Sequence, residues 1–239
     1  PPYQAQLGEN FNSVLGNVGI PYEYVGLRVL WPQVLALLEQ MPSEVAVVRT
    51  LIWPTEIDGA TATPWQHAPL TTDELEGLVN YVHGSPKAVE LAVGPLWRLV
   101  YQNAPMPAEL QLPAAEIAVR LEQLVTQLPT ANVVRLDVYN EFMLELGQQE
   151  VMKVLWPRVM AHFAGQIELT VSVILEPGAV QAVAALQWLR DNGGLPDVIE
   201  VHMNGWTNEQ IVTQLTAALD KIRETAGTRT IGVGECDVE

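Results

Sequence analysis

Val133-Val134-Arg135-Leu136-Asp137-Val138-Tyr139-Asn140-Glu141-Phe142 decides how this chain reads. Its first half is rich in Val and Leu, the composition of a buried strand. It stops on a polar pair, Asn140-Glu141, with Tyr139 just ahead. A carboxylate at the carboxyl end of an apolar strand is where (β/α) barrels carry their reactive groups. Far down the chain, Thr230-Ile231-Gly232-Val233-Gly234-Glu235 ends the same way. Two carboxylates so placed supply one proton carrier and one nucleophile.

Outward from that stretch, strands and helices alternate. A first strand is expected within 3–11, followed by a helix near Trp31 to Gln40, where Val34, Leu35, Leu37 and Leu38 repeat at helical spacing and Pro42 stops them. The second strand runs from Val45 to Trp53 and leads into a polar loop with Asp58-Gly59 and Pro64. Thr72-Asp73 caps a helix to about His83, and Ala88 to Trp97 is the third strand. After a Pro-rich loop come a helix at Ala114–Leu128, the strand at 133–141, and a helix at Gln149–Ala164, bent or begun anew near Pro157. Ile167–Leu175, Val198–Met203 and Thr230–Glu235 are strands; Gly178–Arg190 and Asn208–Thr225 are helices, the latter capped at Thr207 or Asn208. Strands this rich in Val, Ile and Leu belong to a parallel sheet covered on both faces. The fold class is α/β, a (β/α)8 TIM barrel incomplete at its C-terminal end, with residues 1–239 forming one domain. Seven strands are found and not eight, so a gap is expected where strand eight belongs, covered by a further stretch, a neighbouring chain or the segment around 12–30.

Composition narrows the partners. With 28 acidic against 12 basic residues the formal charge is −16, which repels nucleic-acid phosphates and suits a neutral ligand. No apolar run reaches the roughly 18–20 residues that span a bilayer, so no membrane partner is expected. The single cysteine, Cys236, excludes an intrachain disulfide and leaves the compartment open. No phosphate loop, serine elbow or cysteine–histidine metal pattern stands out. Oligomeric state is not legible.

Asp137-Val138-Tyr139-Asn140-Glu141 resembles the acidic-x-aromatic-Asn-Glu signature of the clan of retaining glycoside hydrolases on (β/α)8 barrels, which includes cellulases, mannanases and β-glycosidases. In that clan the acid/base Glu follows an Asn at the end of strand four, and the nucleophile Glu ends strand seven. The resemblance therefore implies a carbohydrate substrate and a double-displacement mechanism, with Glu141 as acid/base and Glu235 as nucleophile, their carboxyls about 5–5.5 Å apart. Glu141 must then hold a proton, and the anion of Glu235 is expected to raise its pKa. Asn140 is implied to bond the sugar 2-hydroxyl. Arg49, late in strand two, is implied to hold Glu235; pairing with Asp137 inside the barrel is the structural reading of the same residue. His202 ends strand six, where the clan often has a His, commonly followed two residues later by a Tyr that supports the nucleophile; here Asn204 stands instead. Trp53, Trp97 and Trp206 fall at or just beyond strand ends, where flat rings stack on sugar faces, while core anchoring is the plain alternative.

No cofactor or metal is expected, although Asp137, Glu141, His202 and Glu235 form a hard-cation set on paper. The rival function is a catalytically inactive carbohydrate-binding barrel, favoured by the missing strand and the absent Tyr.

Overall fold

The computed structural model describes residues 7–10, 35–36, 38–41, 43, 45–52, 56–58, 61–63, 72–93, 113–144 and 146–238, in part by backbone alone. Strand β1 (Leu7–Asn10), β2 (Val45–Ile52), β5 (Ala88–Val93), β6 (Val133–Asp137) and β7 (Glu168–Thr170) form one parallel sheet in that order. β8 (Ser172–Ile174), β9 (Val198–Trp206) and β10 (Thr230–Val238) form a second, also parallel. The expected fifth strand is thus divided at Val171: β7 pairs with β6, and β8 pairs with β9. One interrupted strand joins the two sheets and turns the corner of the barrel. β10 approaches β1, but no hydrogen-bonded ladder joins them among the described residues. Among the described residues the fold is a (β/α) barrel of seven parallel strands, with no ladder closing the ring and no eighth strand.

Between the strands lie α1 (Thr72–Gly84), α2 (Ala114–Gln127), α3 (Leu146–Phe163), α4 (Val180–Asp191) and α5 (Asn208–Ala226). Helix α2 shows why: Ile117, Ala118, Leu121, Leu124 and Val125 recur every three or four residues and all are buried. Each large apolar side chain so buried contributes about 1.5–3 kcal/mol. Helix α5 begins with a capping box in which Thr207 accepts the Gln210 N–H and Gln210 reaches back to Thr207 N–H. One buried cluster takes side chains from β2 through α5. No helix among the described residues is long and apolar enough to cross a membrane.

Several expectations need revision. Helix α3 continues through Pro157 and does not begin anew there. The proline forfeits one backbone bond, but Leu155, Trp156, Val159 and Phe163 are buried around it, and the Trp156 indole donates to the Gly194 carbonyl at 2.8 Å. A Cβ on Gly193 would lie 2.8 Å from that indole, and its φ is +152°, so glycine is required at this helix exit. The polar loop after β2 contains a short hairpin, β3 (Glu56–Asp58) with β4 (Thr61–Thr63), closed by Asp58 opposite Thr61; the Asp-Gly turn signal was there to be read. Strands six and seven run three residues further than expected, to Trp206 and Val238. Of the expected helix at 31–40, Leu35, Ala36 and Leu38 are helical and Glu39 and Gln40 form a turn; residues 31–34 and 37, and residues 94–97 of the expected third strand, lie outside the described residues.

Candidate active site

At the exit of β6, Asp137 is buried and its carboxylate is fully engaged. Oδ1 accepts the backbone N–H groups of Tyr139 at 3.2 Å and Ser172 at 3.1 Å. Oδ2 accepts from Arg49 Nη2 and Ser172 Oγ, both at 2.7 Å. The chain beyond turns over neighbouring strands: Asn140 N–H donates to the Val93 carbonyl, Glu141 N–H to Ser172 Oγ, and Phe142 N–H to the Ser172 carbonyl. This leaves Glu141 at φ +62°, a left-handed conformation that costs a non-glycine residue about 1–3 kcal/mol. The turn lifts the Glu141 side chain to the rim, where it is 17 % exposed.

Two residues of β9 hold its carboxylate. Asn204 Nδ2 donates to Oε1 at 2.9 Å, and His202 Nδ1 lies 3.3 Å from the same oxygen. Burial pushes the Glu141 carboxyl up, but hydrogen bonding and charge from His202, the Arg49 charge and the Asn204 hydrogen bond together outweigh it, and its pKa falls below the usual Glu value. The expectation of a raised acid is therefore reversed in this arrangement, because donors surround the carboxylate. By linkage, the stability that Glu141 contributes is present above its unfolded-state pKa and is lost as pH falls through the lower folded value. His202→Ala should raise the Glu141 pKa, since it removes a hydrogen bond and a charge interaction that favour the anion. A carbon-13 titration of the labelled Glu carboxyls would follow it; an unmoved or lowered midpoint contradicts this account.

Beneath the rim lies a buried charge cluster. Arg49 donates through Nε to Glu90 at 3.1 Å and through Nη2 to Asp137 at 2.7 Å and Asn140 Oδ1 at 2.6 Å. Glu200 Oε1 is 3.7 Å from Arg49 Nε, and Arg135 Nη1 reaches Glu90 at 3.1 Å. Burial, then the charge of Glu90, holds the Glu200 carboxyl well above the ordinary range. β10 passes directly over this cluster at Gly234, where a Cβ would sit 2.1 Å from Glu200 Oε1 and 2.7 Å from His202 Nε2. A side chain there would have to displace the buried Glu200 carboxylate and the His202 ring.

The candidate residues therefore separate. Glu141, His202, Asn140 and Arg49 come together. Asn140 gives its carboxamide oxygen to Arg49. Arg49 pairs with Asp137 as the structural reading had it. Glu235 lies in β10 with its backbone opposite His202. Trp53 and Trp97 lie outside the described residues. Trp206 does not line a cleft: it is wholly buried and its indole donates to the Leu175 carbonyl at 2.6 Å. The longer β9 carries it inward, so it anchors the chain after β8. Asn204 turns out to grip Glu141. Glu90, Glu200 and Ser172 were not singled out from the sequence. For the two acids the signal was present, a lone charge inside Ala88-Val89-Glu90-Leu91 and Ile199-Glu200-Val201. Among the described residues no group of three or more His, Cys, Asp or Glu is placed to hold a metal, and Asp137 of the hard-cation set is committed to Arg49 and Ser172.

No protein-family model matches the chain, and no curated protein sequence matches it. Solved structures do. A thermostable mutant of a xylanase (Xyn10A) from Cellvibrio japonicus superposes with TM-score 0.56 at 15 % identity, over 85 % of this chain and 65 % of that one. Xylanase B from Clostridium stercorarium F9 superposes with TM-score 0.50 at 11 % identity, over 84 % and 65 %. The chain thus spans about two thirds of the length of these two enzymes. At such identities the likeness is one of fold, and the chain has the (β/α)-barrel fold of these glycoside hydrolases.

Proposed function

We propose that this chain is a retaining glycoside hydrolase acting on β-linked glycans, its 239 residues forming one barrel domain. The observation that carries the reading is Glu141, held by a strained turn at the carboxyl end of a barrel strand with Asn140 beside it. In the first step Glu235 attacks the anomeric carbon and forms a glycosyl ester. The glycosidic C–O bond breaks, and the Glu141 proton goes to the leaving oxygen. In the second step water attacks the same carbon, Glu141 takes the water proton, and the ester bond breaks. Asn140, whose oxygen is occupied, offers its amide N–H to the sugar 2-hydroxyl. Arg49 favours the anionic nucleophile, and Trp53 and Trp97 stack on sugar rings. Glu141 must gain a proton that its donors disfavour. The facing anion of Glu235 and exclusion of water by bound sugar both act in that direction. The two xylanase structures make xylan oligosaccharides and aryl β-xylosides the first substrates to try. Hydrolysis with the β-anomer as the first-formed sugar, followed by proton NMR, is the expected result; the α-anomer rules out the retaining mechanism.

A catalytically inactive carbohydrate-binding barrel is the second reading. The depressed Glu141 pKa favours it, because a standing anion does not donate a proton. Saturable binding of xylan oligosaccharides with no turnover of any aryl β-glycoside would select it.

A further inference from the structure

We infer that Ser172 is a positioning residue for Glu141, setting the placement of the acid/base carboxyl through the backbone; this rests on the role proposed for Glu141. The hydrogen-bond directions are forced. A backbone N–H only donates, so Ser172 Oγ accepts from Glu141 N–H at 2.9 Å. The hydroxyl hydrogen is then available to Asp137 Oδ2 at 2.7 Å or Asn140 Oδ1 at 3.4 Å. The shorter, charge-assisted bond to Asp137 prevails. Arg49 Nη2 donates to that same Asp137 oxygen and holds it in place. A continuous chain of bonds runs from the buried Arg49 through Asp137 and Ser172 to the amide of Glu141. The Ser172 carbonyl also takes the Phe142 N–H at 2.8 Å, so one residue of β8 holds the turn on both sides of the strained φ.

That strain needs a holder. A left-handed Glu reverts to an extended or right-handed backbone unless neighbouring bonds over-determine it. Reversion swings the Cα–Cβ direction and carries the carboxyl away from Asn204 and His202. Ser172 is wholly buried, so it acts on the reaction only through Glu141 and Asn140. Its position at the break between β7 and β8, where the ladder changes partner, leaves its hydroxyl directed at the β6 exit and not at a neighbouring helix.

The test is the leaving-group dependence of kcat/KM, which separates lost proton delivery from lost fold. Ser172→Ala should lower kcat/KM about 100-fold on xylobiose, whose leaving group needs a proton. It should change kcat/KM less than about threefold on 2,4-dinitrophenyl β-xyloside, whose leaving group needs none. Equal losses on both substrates, or no loss on either, overturn the inference. Ser172→Cys, nearly isosteric but a weak acceptor, should show the same pattern and replaces the alanine variant should that one fail to fold. Glu141→Gln is the control. If it shows the leaving-group pattern and the Ser172 variants do not, the inference alone falls. If Glu141→Gln lacks the pattern, the reading of Glu141 falls and the inference with it.

Discussion

Glu235→Ala is expected to fold as the parent does and to lose turnover on every β-glycoside, with azide or formate restoring part of it. The added anion enters the space left by the carboxylate and attacks the anomeric carbon in its place; with azide the product is a glycosyl azide of inverted configuration. Glu141→Ala should behave differently. It should lose about 10²–10⁴-fold on substrates that need protonation and little in kcat/KM on dinitrophenyl glycosides. In that variant azide should accelerate release of the ester intermediate, giving a product of retained configuration. The two configurations, read by NMR, assign the two roles independently. Unchanged activity in Glu235→Ala removes it as the nucleophile. The motivation is positional: β10 brings Glu235 opposite His202, and His202 is the residue 3.3 Å from the Glu141 carboxylate.

The second large effect concerns stability. Arg49→Met should cost about 3–5 kcal/mol, a fall of about 6–20 °C in Tm if the variant folds at all. Arg49 is buried among Glu90, Asp137 and Glu200, and Arg135 also bonds Glu90. Removing it leaves carboxylates without compensation in a low-dielectric core, and the Asn140 carboxamide without its donor. The pH dependence follows from Glu200. Its pKa is raised, so its contribution to stability is present below the unfolded-state value and lost as pH rises through the folded one. Arg49 lowers the Glu200 pKa, so without it the raised value climbs further. The deficit of Arg49→Met should therefore narrow on acidification and widen toward neutral pH. Arg49→Lys keeps the charge but not the fork that reaches Glu90 and Asp137 together, and should lose an intermediate amount. Thermal melts from acid to neutral pH check this; a deficit independent of pH contradicts the charge account.

Strand and helix order was legible because each barrel strand is a nearly continuous apolar run and each helix carries a buried stripe at its own period. Those are local properties, and residues 88–93, 133–137 and 198–203 show them without help from the rest of the chain. Glu141 was legible for the same reason: an acid placed abruptly at the end of such a run has to stand at the barrel rim. The resemblance drew notice to Asn204, standing where it implied a Tyr, but not to what Asn204 does. Register decides that, since β9 in line with the turn after β6 brings its amide to 2.9 Å from Glu141. The break at Val171, the burial of Trp206 and the role of Ser172 are likewise tertiary facts. Each depends on which strand lies alongside, and hydropathy periods carry no information about partners. The charge of Glu141 was misjudged for that reason: a pKa is set by the donors within a few ångströms, and His202, Asn204 and Arg49 lie far away in sequence. Local pattern determined the elements and their order along the chain; the pairing of the strands alone decided which side chains meet at their ends.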